Sequence, residues 1–200
     1  MNSKRLKDLI KQARWDLFYK ASIHKPHDRT RFLHELHELD HDFHNAIVAL
    51  DKTGLNILDI GTGYGYQAIY MEQLGHKVTG IDIAHTAIDQ AQKYAKNHQS
   101  NVQFIQGNFL SYDFSEPFDL VTDRGCFTLL PIKEKAQFIH QLNQIIHSNS
   151  LILMKLDKSR TKTDLDDHLL VNFKLKNLSS SCYVNNLHQK IDANFVILTR

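Results

Sequence analysis

Three glycines in the segment "NILDIGTGYGYQAIYMEQLGHKVTGIDIA", residues 56–84, have the spacing of a nucleotide-binding loop. Gly61, Gly63 and Gly65 occupy every second position in a segment that follows a short apolar run and precedes a helical pattern. Glycines permit a tight turn and a close ligand approach, and amide N–H groups at a helix start can bind an anionic group. A dinucleotide fingerprint places glycine or alanine where this chain has Tyr66. The loop therefore predicts a ligand that need not carry a pyrophosphate.

Acidic residues near this loop narrow the choice of ligand. Asp82 ends the next predicted strand, where a carboxylate can accept both ribose hydroxyls of NAD or of S-adenosylmethionine. Asp59 would repel a pyrophosphate but suits the positive amine of S-adenosylmethionine. Asn108 follows the third predicted strand, in a position to pair with an adenine edge. We therefore predict S-adenosylmethionine, with a nicotinamide oxidoreductase as the alternative that Tyr66 disfavours.

Alternating strands and helices must position these residues. Helical spacing predicts helices over Lys4–Lys20, with Leu6, Leu9, Ile10, Ala13, Leu17 and Phe18 in register, and over about Thr30–Leu50. From Asn56 onward strands alternate with helices, which indicates a parallel sheet covered on both faces. After a polar stretch, two final strands read as an antiparallel pair. We divide the single domain into a helical cap (1–52), a cofactor-binding core (53–156) and C-terminal strands (157–200).

Three segments of this chain resemble a known family. "ILDIGTGYG", "LGHKVTGIDIAHTAI" and "FDLVTDRGCFTLLP" are similar to class I S-adenosylmethionine-dependent methyltransferases, and the last two resemble the thiopurine and tellurite-resistance branch. The resemblance implies a Rossmann-like, seven-stranded α/β sheet, mostly parallel, with its last strand antiparallel and helices on both faces. It also implies methyl transfer from S-adenosylmethionine, with S-adenosylhomocysteine as product.

The resemblance also implies roles for individual residues. The three glycines would face the methionine part of the cofactor, Asp82 the ribose, and Asp123 the methionine amine. Asn108 and Phe109 would contact the adenine, and "WDLFY" would contribute Trp15 and Tyr19 to closing the site. Arg124 would lie beside the transferred methyl group and hold an anionic substrate. The remaining expected cofactor contacts are residues adjoining these motifs: Asp59, Thr62 and Ile83.

Three of these assignments have structural alternatives. Arg124 could instead form an ion pair with Asp123 or Asp119. Trp15 and Tyr19, at i and i+4, could simply pack their helix onto the sheet. Cys126 could accept a methyl group or bind a soft metalloid, but we favour a buried structural thiol.

A histidine stripe in "FLHELHELDHDFH" is the remaining candidate for chemistry. His34, His37, His41 and His44 recur every three or four residues, opposite the apolar stripe, so we expect them to face solvent. Such pairs can bind zinc, nickel or copper, but we favour a polar helix face and predict no metal site.

Composition limits the function classes. With 24 Lys and Arg, 22 Asp and Glu, and a net charge of +2, nothing favours nucleic acid as a partner. The sequence has no long apolar run, secretory signal or cysteine framework, so we expect a cytoplasmic protein without a membrane partner. The acceptor is predicted to be a small molecule: a thiol, a metalloid oxyanion or a carboxylate-bearing compound. A protein N-methyltransferase and a non-catalytic cofactor-binding module are the alternatives, and a protein partner stays open.

Overall fold

A seven-stranded sheet forms the centre of the molecule. The structure is a computed structural model and describes residues 3–23, 40–184 and 190–200. The strands are β1 Asn56–Ile60, β2 Lys77–Asp82, β3 Gln103–Gln106, β4 Phe118–Arg124, β5 Ile146–Asp157, β6 Lys174–Val184 and β7 Lys190–Thr199.

The strand order is β3-β2-β1-β4-β5-β7-β6. Strands β1 to β5 pair in parallel, whereas β7 runs antiparallel to both β5 and β6. The predicted mostly parallel sheet with an antiparallel last strand is confirmed. Because the order reverses between β1 and β4, their carboxyl ends open the crevice where ligands bind in such sheets.

Helices cover the sheet on both faces. They are α1 Ser3–Ile23, α2 His41–Val48, α3 Tyr66–Gln73, α4 His85–Asn97, α5 Cys126–Leu129, α6 Ile132–Ile145 and α7 Thr161–Asp164, with a 3-10 turn over Phe109–Ser111. Along β1, Ile57 packs under α2, α3 and α4, whereas Leu58 packs on the α6 side. Alternate side chains are thus buried in the hydrophobic cores on the two faces of the sheet, which explains why the strand sequences are nearly continuous apolar runs.

The first helix lies over the carboxyl edge of the sheet. Lys11 of α1 forms an ion pair with Glu134 of α6 at 2.7 Å, and the Asp16 carboxylate accepts a hydrogen bond from the Thr86 amide at the start of α4. The predicted helix is confirmed, but four leucine and isoleucine side chains of its apolar stripe face outward. Their exposed fractions are 44% for Leu6, 45% for Leu9, 61% for Ile10 and 69% for Leu17.

The C-terminal half departs from a simple alternation of helix, loop and strand. Helix α6 ends at Ile145 and β5 begins directly at Ile146, with no loop between them. The polar stretch after β5 contains α7 and a π-helical turn over Leu165–Leu169. It folds because Leu165 and Leu169 are buried in the core and Asp164 forms a buried ion pair with Lys135. Of the predicted helix Thr30–Leu50, residues 30–39 lie outside the described residues.

Candidate functional site

The glycine loop approaches its neighbours closely. Gly61, Gly63 and Gly65 have φ angles of 66°, 58° and 78°, a region that favours glycine. A Cβ at Gly65 would lie 2.4 Å from the Phe104 ring, and one at Gly61 would lie 2.9 Å from the Cys126 Cβ. Alternating glycines therefore allow this loop to pass close to Cys126 at the start of α5 and to Phe104 of β3, and to present its backbone at the crevice.

Asp82 joins the glycine loop to α1. One carboxylate oxygen accepts hydrogen bonds from the Gly63 amide at 3.0 Å and from the Tyr19 hydroxyl at 3.2 Å, and the other accepts from the Ala84 amide at 2.9 Å. Burial raises the pKa of Asp82 to about 6. The half-buried Ile83 follows at the strand end. The structure thus brings Asp82 into direct contact with the loop that the sequence paired it with.

Asp59, at the end of β1, is a second buried carboxylate. It accepts hydrogen bonds from the hydroxyls of Thr62 and Thr122, both at 2.7 Å, and from the Gln67 amide at 3.3 Å. Burial raises its pKa, although these hydroxyls oppose the shift. Thr62 therefore lies beside the crevice but is bound to a protein carboxylate.

Asp123, at the end of β4, is the third buried carboxylate. It accepts hydrogen bonds from the Cys126 and Phe127 amides, both at 2.9 Å, at the start of α5. Burial raises the pKa of Asp123 to about 7, and repulsion from Asp59 adds to the upward shift both here and at Asp82. Three buried carboxylates at adjacent strand ends disfavour one another's ionisation, so a positively charged ligand would relieve the repulsion.

Aromatic side chains of α1 cover the loop. The Tyr19 ring lies 5.2 Å from the Tyr64 ring and 6.4 Å from the Trp15 ring, centroid to centroid, and the Tyr64 hydroxyl donates to the Tyr19 carbonyl at 3.0 Å. Only 7% of Tyr19 is exposed. Trp15 and Tyr19 therefore lie on the side of α1 that packs toward the domain, and their part in closing a cofactor site stays a prediction. Tyr64 was missed because nothing in the sequence separates it from the other variable positions of the loop.

Arg124 lies at the end of β4 and pairs with neither carboxylate that we considered. Its Nη1 atom donates to Asp40 at 2.9 Å, while Asp119 contacts His147 and Asp123 caps α5. Our proposed structural partners for Arg124 were wrong because Asp40, 84 residues away in the chain, occupies that position. The side chain of Arg124 remains 23% exposed.

Lys155 completes a buried ionic cluster around Asp40. Its Nζ atom lies 2.5 Å from Asp40, 3.2 Å from Asp42 and 2.8 Å from the Cys182 carbonyl, and its side chain is fully buried. Lys155 and Arg124 are register partners on adjacent strands, so one carboxylate bridges two cations. Lys155 lies within the apolar run "LILMKL", but nothing in the sequence identifies Asp40 as its partner.

Cys126, for which we favoured a buried structural thiol, is half-buried at the start of α5. Its side chain packs against Gly61, and burial raises the pKa of its thiol well above the usual value, with Asp123 adding to the shift. A protonated thiol is a weak nucleophile.

Asn108 and Phe109 lie after β3 but differ in exposure. The Asn108 side chain accepts from the Leu110 amide at 3.1 Å and donates to Asp8 of α1 at 2.9 Å. The Phe109 ring is buried in the core, 4.8 Å from the Phe138 ring. Any contact between Phe109 and a ligand would therefore have to use its backbone.

The histidine stripe is only partly described. His41 is exposed, whereas His44 is half-buried and hydrogen-bonded to the Tyr70 hydroxyl, so the prediction that it faces solvent was wrong. The apolar face of α2 is narrow, and α3 packs beside it. His34 and His37 lie outside the described residues. Among residues 3–23, 40–184 and 190–200, no cluster of three metal-ligating side chains occurs.

Comparison with known proteins places the chain in a family. The sequence profile described as "Methyltransferase domain" matches residues 57–149. An uncharacterized methyltransferase of Schizosaccharomyces pombe is 34% identical over 118 residues, which span 58% of this chain and 81% of that protein. The chain belongs to the class I S-adenosylmethionine-dependent methyltransferases. The predicted family and enzyme class are confirmed.

Solved structures share the fold of this methyltransferase. Magnesium protoporphyrin IX methyltransferase from Synechocystis, solved with bound S-adenosylmethionine, superimposes with a TM-score of 0.76 at 16% identity over 96% of each chain. A TehB-like S-adenosylmethionine-dependent methyltransferase from Corynebacterium glutamicum superimposes with a TM-score of 0.62 at 20% identity, over 77% of this chain and 84% of that one.

In the part of this methyltransferase that the structure describes, no helix is long and apolar enough to cross a membrane.

Proposed function

We propose that this methyltransferase transfers the methyl group of S-adenosylmethionine to a small-molecule acceptor. The observation that carries the proposal is the covering of the crevice by α1, where Tyr19 is only 7% exposed and contacts Asp82 and the Gly63 loop. A protein substrate needs an open groove for its backbone beside the methyl group. A covered crevice instead favours an acceptor small enough to be enclosed.

The residues of the crevice fit S-adenosylmethionine. When bound, it supplies an electrophilic methyl group on a positively charged sulfur. The glycine loop would hold its methionine part, Asp82 and Ile83 its ribose side, and Asn108 with the Phe109 backbone its adenine. The carboxylates of Asp59 and Asp123 favour its positive charges. Since methyl transfer removes the sulfonium charge, the same carboxylates would bind the product S-adenosylhomocysteine less tightly.

Arg124 supports an anionic acceptor. Of its five N–H donors, only those on Nη1 have an acceptor among the described residues, so the Nε and Nη2 donors can bind an incoming carboxylate or oxyanion. Asp40 would fix the guanidinium while those donors bind the acceptor. We therefore propose a thiol, a metalloid oxyanion or a small carboxylate-bearing compound as the acceptor class. The enzyme would mainly align acceptor and methyl group and exclude water, which needs no catalytic triad.

The test is formation of S-adenosylhomocysteine with a panel of acceptors. The panel would contain thiols, tellurite and selenite, small amino and aromatic carboxylates, their uncharged amide analogues, and denatured cell protein. We expect turnover with an anionic member of the panel and not with its uncharged analogue. We expect Arg124→Gln to raise the KM for that acceptor at least about tenfold, from the loss of a charge-assisted hydrogen bond, while the cofactor affinity stays unchanged.

Other outcomes would favour the alternatives. Methylation of denatured protein alone would support a protein N-methyltransferase. Binding of S-adenosylmethionine without turnover of any acceptor would support a non-catalytic binding module. The location of the protein in the cytoplasm stays a prediction, which fractionation of the native cell would check.

A further inference from the structure

The outer face of α1 is an apolar stripe with no partner among the described residues. At about 100° per residue, Leu6, Leu9, Ile10, Ala13 and Leu17 fall within an arc of roughly 100°. The four large side chains among them are 44–69% exposed. The opposite face carries Trp15, Phe18 and Tyr19, which pack toward the domain. Helix α1 is therefore amphipathic in an unusual sense, because its aliphatic side faces away from the core.

The exposed charges around this stripe are all positive. Arg5, Lys7, Arg14 and Lys20 are exposed and lie within about 100° of the centre of the stripe. The two acidic side chains of α1 are turned to the domain, where Asp8 accepts from Asn108 and Asp16 from the Thr86 amide. The basic Lys11 is also engaged, by Glu134. The outward face thus combines aliphatic side chains with four exposed cations, and the one carboxylate at its edge, the half-buried Asp16, is hydrogen-bonded to the Thr86 amide.

We propose that the outer face of α1 docks onto an anionic lipid bilayer. Leucine and isoleucine would enter the boundary between headgroups and acyl chains, while the lysine and arginine side chains reach the lipid phosphates. A second copy of this chain fits poorly, since pairing two such faces would oppose like charges. A protein partner is disfavoured because the aromatic side chains of α1, which commonly anchor protein interfaces, all point inward. This peripheral docking replaces our expectation of a protein without a membrane partner, and it is independent of the acceptor proposed above.

Vesicle co-sedimentation tests the proposal. The full-length protein would be mixed with vesicles of phosphatidylcholine alone or with about one third phosphatidylglycerol, at low and at physiological salt. We expect binding only to the anionic vesicles, and weaker binding as salt rises, because the cations act through screened attraction.

Matched variants locate the contact. Ile10→Ser combined with Leu17→Ser should weaken binding to anionic vesicles at least about tenfold, because both side chains would leave the acyl boundary. Arg14→Gln with Lys20→Gln should also weaken it and reduce its salt dependence. Val171→Ser removes an equally exposed aliphatic residue, 74% exposed, from another part of the surface and should leave binding unchanged.

Three results would overturn the proposal. The first is absence of wild-type binding to anionic vesicles at low salt. The second is equal vesicle binding by the Ile10/Leu17 double variant, with an unchanged circular dichroism spectrum. The third is a stable wild-type oligomer in sedimentation velocity that the same double variant dissociates, since the stripe would then be an interface between copies.

Discussion

Replacing Lys155 by methionine should destabilise the protein strongly. The Nζ atom of Lys155 is fully buried between Asp40, Asp42 and the Cys182 carbonyl, at 2.5, 3.2 and 2.8 Å. Methionine has a similar length and leaves no large cavity. It removes the cation, however, so that Asp40, only 8% exposed in its side chain, keeps Arg124 as its single charged partner in the described part of the chain.

The magnitude follows from the burial of Asp40. Removing one partner of a buried ion pair costs about 3–5 kcal/mol, because the other charge stays buried without compensation. Since Arg124 still contacts Asp40, we expect the lower end, about 3 kcal/mol. For a domain of this size that loss corresponds to a decrease of about 6–12 °C in Tm.

Thermal unfolding followed by circular dichroism would measure the effect. A double-mutant cycle with Asp40→Asn should give a coupling free energy of at least about 1 kcal/mol, because the two residues are in contact. Lys176→Met, at an exposed lysine of β6, should change stability by less than about 0.5 kcal/mol. A Tm for Lys155→Met within about 2 °C of wild type, or additive effects in the cycle, would refute this account of the cluster.

Three further predictions concern the crevice. The affinity for S-adenosylmethionine should fall as the pH drops through the pKa of Asp82, about 6, because protonation removes the negative charge that accepts the ribose hydroxyls. Calorimetry at pH 5 should give roughly tenfold weaker binding than at pH 7.5. A Kd that is the same at both pH values would contradict this prediction. Gly65→Ala should lower Tm far more than Gly54→Ala, because both have positive φ, 78° and 72°, but only Gly65 would clash with the Phe104 ring. The Tyr19→Phe variant should bind S-adenosylmethionine at least about threefold more tightly than the wild type, because it lacks the hydroxyl that competes for Asp82 but keeps the ring. Weaker binding in the same titration would show that the hydroxyl contacts the cofactor.

Most of the strands and helices could be predicted from local patterns in the sequence. Strand residues such as Ile57 and Leu58 are buried on opposite faces, so each strand appeared as a short apolar run between turn signals. The glycine loop and Asp82 were also recognisable, because the loop and the strand end each have a local signature. Their contact through the Gly63 amide followed from the parallel order of β1 and β2.

Contacts between distant parts of the chain could not be predicted from the sequence. Asp40 is 115 residues from Lys155, and although Lys155 lies within an apolar run, no local pattern identifies Asp40 as its partner. The direction of α1 was equally hidden, because periodicity identifies an apolar stripe but not which side of the helix meets the domain. Here the contacts of Tyr19 with Asp82 and of Asp16 with the Thr86 amide determine which side of α1 faces the domain. The outward stripe is the consequence.

The binding of S-adenosylmethionine at the glycine loop is tested most directly by calorimetric titration of the wild-type protein and Asp82→Ala. S-adenosylmethionine and S-adenosylhomocysteine would be titrated, with NAD as the control ligand and circular dichroism to verify folding. We predict binding of both sulfur nucleotides, weakened roughly 10- to 100-fold in the variant through lost hydrogen bonds to a charged group, and no response to NAD. Absence of binding by the folded wild type, or equal affinity in the folded variant, would contradict the account.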